Sequence, residues 1–146
     1  TLHAELSRSI GPGVEFESQR MVRALSDAVV GPVLKSMMDR PESPWTVPQM
    51  ARMAKVSKSK FSERFRNMVG QPPLHYLTDL RFRAACRLLC ETNLSVTNIA
   101  SEVGYDSASS FSNAFKRRLG CAPADYRKRI RGIGAIEPAA IQSQTI

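Results

Sequence analysis

Apolar residues recur at helical spacing along most of this chain. Between Glu17 and Met38 the residues Met21, Leu25, Val29, Val33, Leu34 and Met37 follow that period. Gly31 and Pro32 interrupt it, which predicts a broken helix or two short ones. The proline- and charge-rich RPESPW, Arg40 to Trp45, reads as a loop. From Thr46 to Arg131 the helical period continues, with no Asn-Gly hairpin turn and no period-two alternation. The pattern predicts an all-α fold. Residues 1 to 20 carry little periodicity and read as linker, and the period fades again over 132–146, a tail expected to be flexible.

Within the helical region the chain repeats itself. FSERFRNMVGQPPLHY, Phe61 to Tyr76, returns fifty positions later as FSNAFKRRLGCAPADY, Phe111 to Tyr126. Upstream, VPQMARMAKVS from Val47 aligns with VTNIASEVGYD from Val96 at an offset of 49, so the second copy has one extra residue in its turn. Met50 with Ile99, and Ala51 with Ala100, hold matching core positions. Each copy is a short helix, a tight turn and a second helix, the latter opened by Ser57 or by Asp106/Ser107 as N-cap. Gly70 and Gly120 end the second helices, and Pro72, Pro73 and Pro123 stop them continuing. Between the copies, Leu74 to Thr92 forms a different, longer helix. Leu77, Leu80, Ala84 and Leu88 give it an apolar stripe, and Arg81, Arg83 and Arg87 give it positive charge. At about 1.5 Å per residue it is a rigid spacer roughly 27 Å long.

The repeated second helices keep one face and change the other. Phe61, Phe65, Met68 and Val69 form the buried stripe of the first, leaving Ser59, Glu63, Arg66 and Asn67 outward and Ser62 at the edge. Phe111, Phe115 and Leu119 form the stripe of the second, leaving Ser109, Asn113, Lys116 and Arg117 outward with Ser112 at the edge. Common packing explains the shared letters, and different surface chemistry explains the rest.

Charge gives that surface a direction. Twenty-one Lys and Arg against thirteen Asp and Glu leave +8, with a pI near 9.9, so a polyanionic partner is indicated. Hydrophobic residues make up 42% of the chain, yet no run reaches the length that spans a bilayer. Short polar residues followed by a basic one suit a DNA major groove: small side chains permit close approach, amides and carboxylates read base edges, and the basic group neutralises phosphate. An RNA-binding or ribosomal protein, the main alternative, would display aromatics for base stacking, whereas here they lie on the buried stripe. No Gly-rich phosphate loop or His/carboxylate constellation supports an enzyme. Cys86, Cys90 and Cys121 include no CxxC pair and read as reduced cytosolic thiols, so neither a metal site nor a cofactor is expected. Tyr76 and Tyr126 read as core plugs, Trp45 as packed under the first short helix, and His75 as exposed.

The stretch from Trp45 to Arg131 resembles the DNA-binding domain of the AraC/XylS family of bacterial transcription regulators. SVTNIASEVGYDSASSFSNAFKRRLGCAPADYRK, Ser95 to Lys128, carries the closest likeness: Ile-Ala, Gly-Tyr, Ser-x-Phe-x-x-x-Phe-Lys, Gly and Pro-x-x-Tyr-Arg. The resemblance implies two helix-turn-helix subdomains at 45–131 that enter successive major grooves of double-stranded DNA. It implies that 1–44 is a helical connection from an upstream sensor domain, which would bind any small-molecule effector. A cytoplasmic activator that contacts RNA polymerase is likewise implied. Carried over position by position, Ser59, Ser62, Glu63 and Arg66 become the DNA-facing residues of the first recognition helix. Ala108, Ser109, Ser112, Asn113 and Lys116 become those of the second. Lys58, Lys60, Arg81 and Arg117 are further phosphate candidates, with Asn113 matched to adenine and Glu63 to cytosine N4. Two positions depart from the family pattern. Ala108 has no polar group, and Lys55 stands in the first turn where a small residue is usual.

Overall fold

The computed structural model describes residues 12–135, and these form eight helices with no strand among them. They are α1 (Pro12–Ser26), α2 (Val30–Asp39), α3 (Val47–Ala54), α4 (Lys58–Val69), α5 (Pro73–Glu91), α6 (Val96–Glu102), α7 (Ala108–Leu119) and α8 (Pro123–Ala135). The fold is all-α. Two compact units divide the chain, one ending at Thr78 and the other beginning at Asp79, so the division falls inside α5.

In the first unit α3 and α4 form a helix-turn-helix. Thr46 caps α3 by accepting from the Gln49 amide at 3.3 Å, and Ser57 caps α4 through the Lys60 amide at 3.2 Å. Gly70, at φ 97°, ends α4 in the left-handed conformation that glycine adopts without steric cost. Met50, Ala51, Phe61 and Phe65 are buried, as are Val30, Val33, Leu34 and Met37 of α2, which packs against both α3 and α4. The Phe65 ring meets Tyr76 of α5 edge-on at 6.0 Å between centroids, which makes Tyr76 the core plug its position predicts.

The break between α1 and α2 lies at residues 27–29 rather than at Gly31-Pro32. Asp27 supplies the reason, because its Oδ2 accepts from the Val29 and Val30 amides at 3.1 and 2.9 Å and so starts the new helix. Gly31 and Pro32 then fall in the first turn of α2, where a proline costs no hydrogen bond. A Cβ on Gly31 would lie 2.3 Å from the Leu25 carbonyl oxygen, so glycine is required by that close approach. Helix α1 also begins earlier than the apolar period suggests. Pro12 occupies its first turn with Glu15, both favourable there. Residues 1–11 lie outside the described residues.

The second unit repeats the plan with α6 and α7. Ser95 accepts from the Asn98 amide at 3.1 Å, and Ser107, not Asp106, caps α7 through the Ser110 amide at 3.1 Å. Asp106 is thus the additional turn residue. Phe82, Ala85 and Leu89 of α5 pack with Ile99, Ala100, Val103, Phe111 and Phe115. At the other end Arg127 of α8 donates to the Leu89 and Thr92 carbonyls at 3.1 and 3.2 Å. Arg131 adds bonds to the Thr92 carbonyl and, at 3.0 Å, to Asn93 Oδ1. These guanidinium groups satisfy carbonyls that the end of α5 leaves without helical partners. Helix α8 continues to Ala135, past Gly132 where the apolar period fades, and 136–146 lie outside the described residues.

The repeat is larger than two helices. Val30, Val33 and Met37 of α2 bury themselves in the first unit as Phe82, Ala85 and Leu89 of α5 do in the second. Each helix-turn-helix therefore rests on a supporting helix that precedes it. One expectation fails: Leu119, matched to the buried Val69, is 40% exposed. Helix α1 packs against α4 in the first unit, and no described helix covers α7 in that way.

Candidate nucleic-acid interface

The second helix of each pair displays a polar face on a rigid support. On α4 the side chains of Lys58, Ser59, Lys60, Glu63 and Arg66 are exposed and Ser62 is half-buried. Ser62, Glu63 and Arg66 share a groove of about 350 Å³ with Val47, Asn67 and Leu74. Glu63 also borders a second groove of about 240 Å³, alongside Lys60 and Arg64, and so stands on the ridge between the two. On α7, Ser109, Asn113, Lys116 and Arg117 are exposed, while Ala108 and Ser112 are half-buried. The Ser110 hydroxyl lies 3.0 Å from that of Ser107, so the start of α7 is tied down.

Basic residues at helix ends also have a purely local role. Lys116, Arg117 and Arg118 occupy the last turn of α7, and Arg66 that of α4, where positive charge complements the helix dipole. Arg81 is half-buried in α5. Burial pushes the Tyr105 hydroxyl above its ordinary range, and the charges of Arg81 and Arg117 pull it back.

Two aspartate–arginine pairs escaped the sequence reading. Arg64 of α4 donates from Nε to both Asp27 carboxylate oxygens, at 3.0 and 3.2 Å, and from Nη2 to Oδ1 at 2.5 Å. These bonds to Arg64, ahead of the Val30 and Val29 amides, hold the Asp27 carboxyl at about 2 despite the opposing effect of burial. In the second unit Arg118 of α7 pairs with Asp79 of α5. Arg64 is visible in the sequence as a large charged residue replaced by alanine in the other copy, at Ala114, as Lys58 is at Ala108.

The same arrangement of helices occurs in known proteins. A helix-turn-helix domain family model matches residues 50–129. Over 102 residues the chain is 41% identical to the RCS-specific HTH-type transcriptional activator RclR of Escherichia coli, covering 70% of this chain and 36% of that protein. It is 47% identical over 104 residues to a putative AraC-like transcription regulator of Streptomyces lividans, covering 71% and 34%. The DNA-binding domain of AdpA, solved with a target DNA, superposes with a TM-score of 0.67 at 30% identity, covering 75% of this chain and 94% of that one. The chain belongs to the AraC-type helix-turn-helix family. It spans about a third of the length of the curated relatives it matches.

Against the AraC-type pattern, Lys55 has a definite geometry. It adopts φ 60°, and it is the described non-glycine residue at positive φ. Its counterpart in the second copy is Gly104, at φ 95°. In both turns the next amide reaches back to the first helix, Val56 to the Ala51 carbonyl at 3.1 Å and Tyr105 to the Ala100 carbonyl at 2.9 Å. The first unit therefore makes the same turn with a residue that is strained there.

The thiols of this AraC-type chain are packing residues. Cys86, Cys90 and Cys121 are free, two half-buried and one buried. Burial raises the Cys86 thiol above its ordinary range, against a lowering hydrogen bond from Tyr126. Burial, reinforced by the Cys86 thiol, pushes the Tyr126 hydroxyl up to about 12. Among the described residues, no group of three or more His, Cys, Asp or Glu is placed to hold a metal ion. No described helix is long and apolar enough to cross a membrane.

Proposed function

We propose that the chain is the sequence-reading part of a bacterial transcription regulator that binds double-stranded DNA. Helices α4 and α7 each enter a major groove, the two grooves being successive turns of one duplex. The observation that carries this reading is the pair of exposed polar faces on two equivalent helices, each backed by a buried aromatic stripe. Side chains of Ser59, Ser62, Glu63 and Arg66 make the first contact surface, and those of Ala108, Ser109, Ser112, Asn113 and Lys116 the second. Lys58, Lys60, Arg81 and Arg117 contribute contacts to phosphate. The Ala108 methyl suits only a thymine methyl, and short serines favour readout through water and groove shape.

AdpA's solved complex with a target DNA supports the duplex as partner. RclR is named an activator, which supports activation, with RNA polymerase as the second partner. The reading assigns the chain no catalysis and a cytoplasmic site of action. It puts any small-molecule effector on a domain outside these two units.

Competition measures the reading directly. A labelled duplex bound at low salt should be displaced by duplex DNA of preferred sequence and far less by structured or single-stranded RNA. Affinity should fall steeply with salt, as counterions return to the phosphates that Lys and Arg neutralise. Equal displacement by RNA would favour a general polyanion binder and overturn the assignment.

A further inference from the structure

We propose that each unit contains a carboxylate–guanidinium clamp that sets how its recognition helix is held: Asp27 with Arg64 in the first, and Asp79 with Arg118 in the second. The inference rests on the reading of α4 and α7 as recognition helices. Its first support is position. Asp27 stands three residues before Val30, and Asp79 three residues before Phe82, and Val30 and Phe82 are equivalent members of the two supporting helices. The two aspartates therefore occupy the same place in the repeated unit.

The arginines do not. The counterpart of Arg64 is Ala114, and Arg118 lies four residues further along, one helical turn nearer the C-terminus of α7. The same connection, from supporting helix to recognition helix, is thus made twice with guanidinium groups on different turns. Burial and geometry strengthen it. Side chains of Asp27 and Asp79 are only 6% and 16% exposed. Asp27 also receives the Val29 and Val30 amides, which binds the α1–α2 junction, the supporting helix and α4 to one carboxylate. In the second unit the Arg118 guanidinium lies over the Phe82 ring, 5.2 Å from its centroid, and Phe82 belongs to the supporting face itself.

A guanidinium held against a buried carboxylate is neutralised and fixed in direction, so Arg64 and Arg118 act on DNA through helix placement rather than by touching phosphate. Base-edge hydrogen bonds tolerate displacements of only about half an ångström, which makes helix placement a determinant of specificity. The two clamps are separate, so each governs the base preference of its own module.

Asp27→Asn and Asp79→Asn, made singly in the whole chain, test this. Asparagine keeps an acceptor for the Val29 and Val30 amides while removing the charge. On the DNA-free protein, Asp27→Asn should speed amide exchange in α4 and leave α7 unchanged. Discrimination between the preferred and a singly altered base should fall about three- to thirtyfold at the first motif and stay intact at the second. Asp79→Asn should give the mirror result. Asp27→Glu, which restores the charge, should recover most of the loss. Unchanged exchange in the helix facing the altered aspartate, or equal loss at both motifs, would overturn the clamp. A wild-type protein without duplex preference would refute the proposed function instead, and the exchange data would still decide the clamp.

Discussion

Among the described residues, the helix-turn-helix of the first unit is covered on more sides than that of the second. In the first, α1 packs on α2 and α4, Tyr76 is 2% exposed, and the Tyr76 hydroxyl lies 3.9 Å from Met21 Sδ. In the second, Leu119 is exposed and Tyr126 only partly covered, while Arg127 and Arg131 secure α8 to the carbonyls after Leu88. Apolar burial stabilises one module where hydrogen-bonded arginines help the other. The comparison teaches that two copies of one helix-turn-helix plan do not need equal scaffolds. It also finds Leu119 exposed and Tyr126 only partly covered in the unit whose sequence carries the family pattern most fully.

Core truncation separates the units most sharply. Phe115→Ala removes a buried ring that contacts Phe82, Phe111 and Tyr126, and should cost the second unit about 3–5 kcal/mol. Trp45, the only tryptophan, lies in the first unit, so its fluorescence follows that unit alone during urea unfolding. Helicity should be lost at lower urea while the Trp45 transition stays in place. Coincident shifts would mean that the units unfold together.

Recognition gives the next largest effect. Asn113→Ala should weaken binding to the preferred duplex by about 1–3 kcal/mol and relax one base position in the second motif only. A competition series over single-base variants measures it, and unchanged preference would remove Asn113 from the reading surface.

Acid should weaken the first unit through Asp27. Asp27 titrates at about 2 when folded, against about 3.9 for a free aspartate. Its contribution is therefore complete above pH 4 and is lost as pH falls from about 4 to about 2. Because half of the Arg64 side chain faces water, the loss should be about 1–2 kcal/mol. Urea midpoints followed through Trp45 at pH 5 and pH 2.5 should show it, and Asp27→Asn should flatten the dependence.

The smallest change is a gain. Lys55→Gly replaces a strained residue with the one the second copy uses, and should stabilise the first unit by up to about 1 kcal/mol. A lower Trp45 midpoint in this variant would contradict the strain argument.

Much of this architecture was legible in the sequence because both copies use the same phenylalanines, glycines and N-cap serines at nearly constant offsets. The outward polar faces of α4 and α7 followed from the helical period. The supporting helices were harder to see. Seven residues separate α2 from α3 and only four separate α5 from α6, so the two supporting faces lose register in any fixed-offset comparison. Gly31 and Pro32 carried a break signal that belonged to Asp27, whose carboxylate starts a helix through hydrogen bonds no periodicity records. The ion pairs were hidden for a related reason. Arg64 and Asp27 are 37 residues apart, and which of many charges meet is decided by packing.

Selection of bound sequences from a random duplex library tests the central claim, that two modules read DNA separately. The account predicts two short motifs spaced by about one helical turn, the second losing information in Asn113→Ala and the first in Glu63→Ala. A single motif, or loss spread evenly over both in either variant, would contradict it.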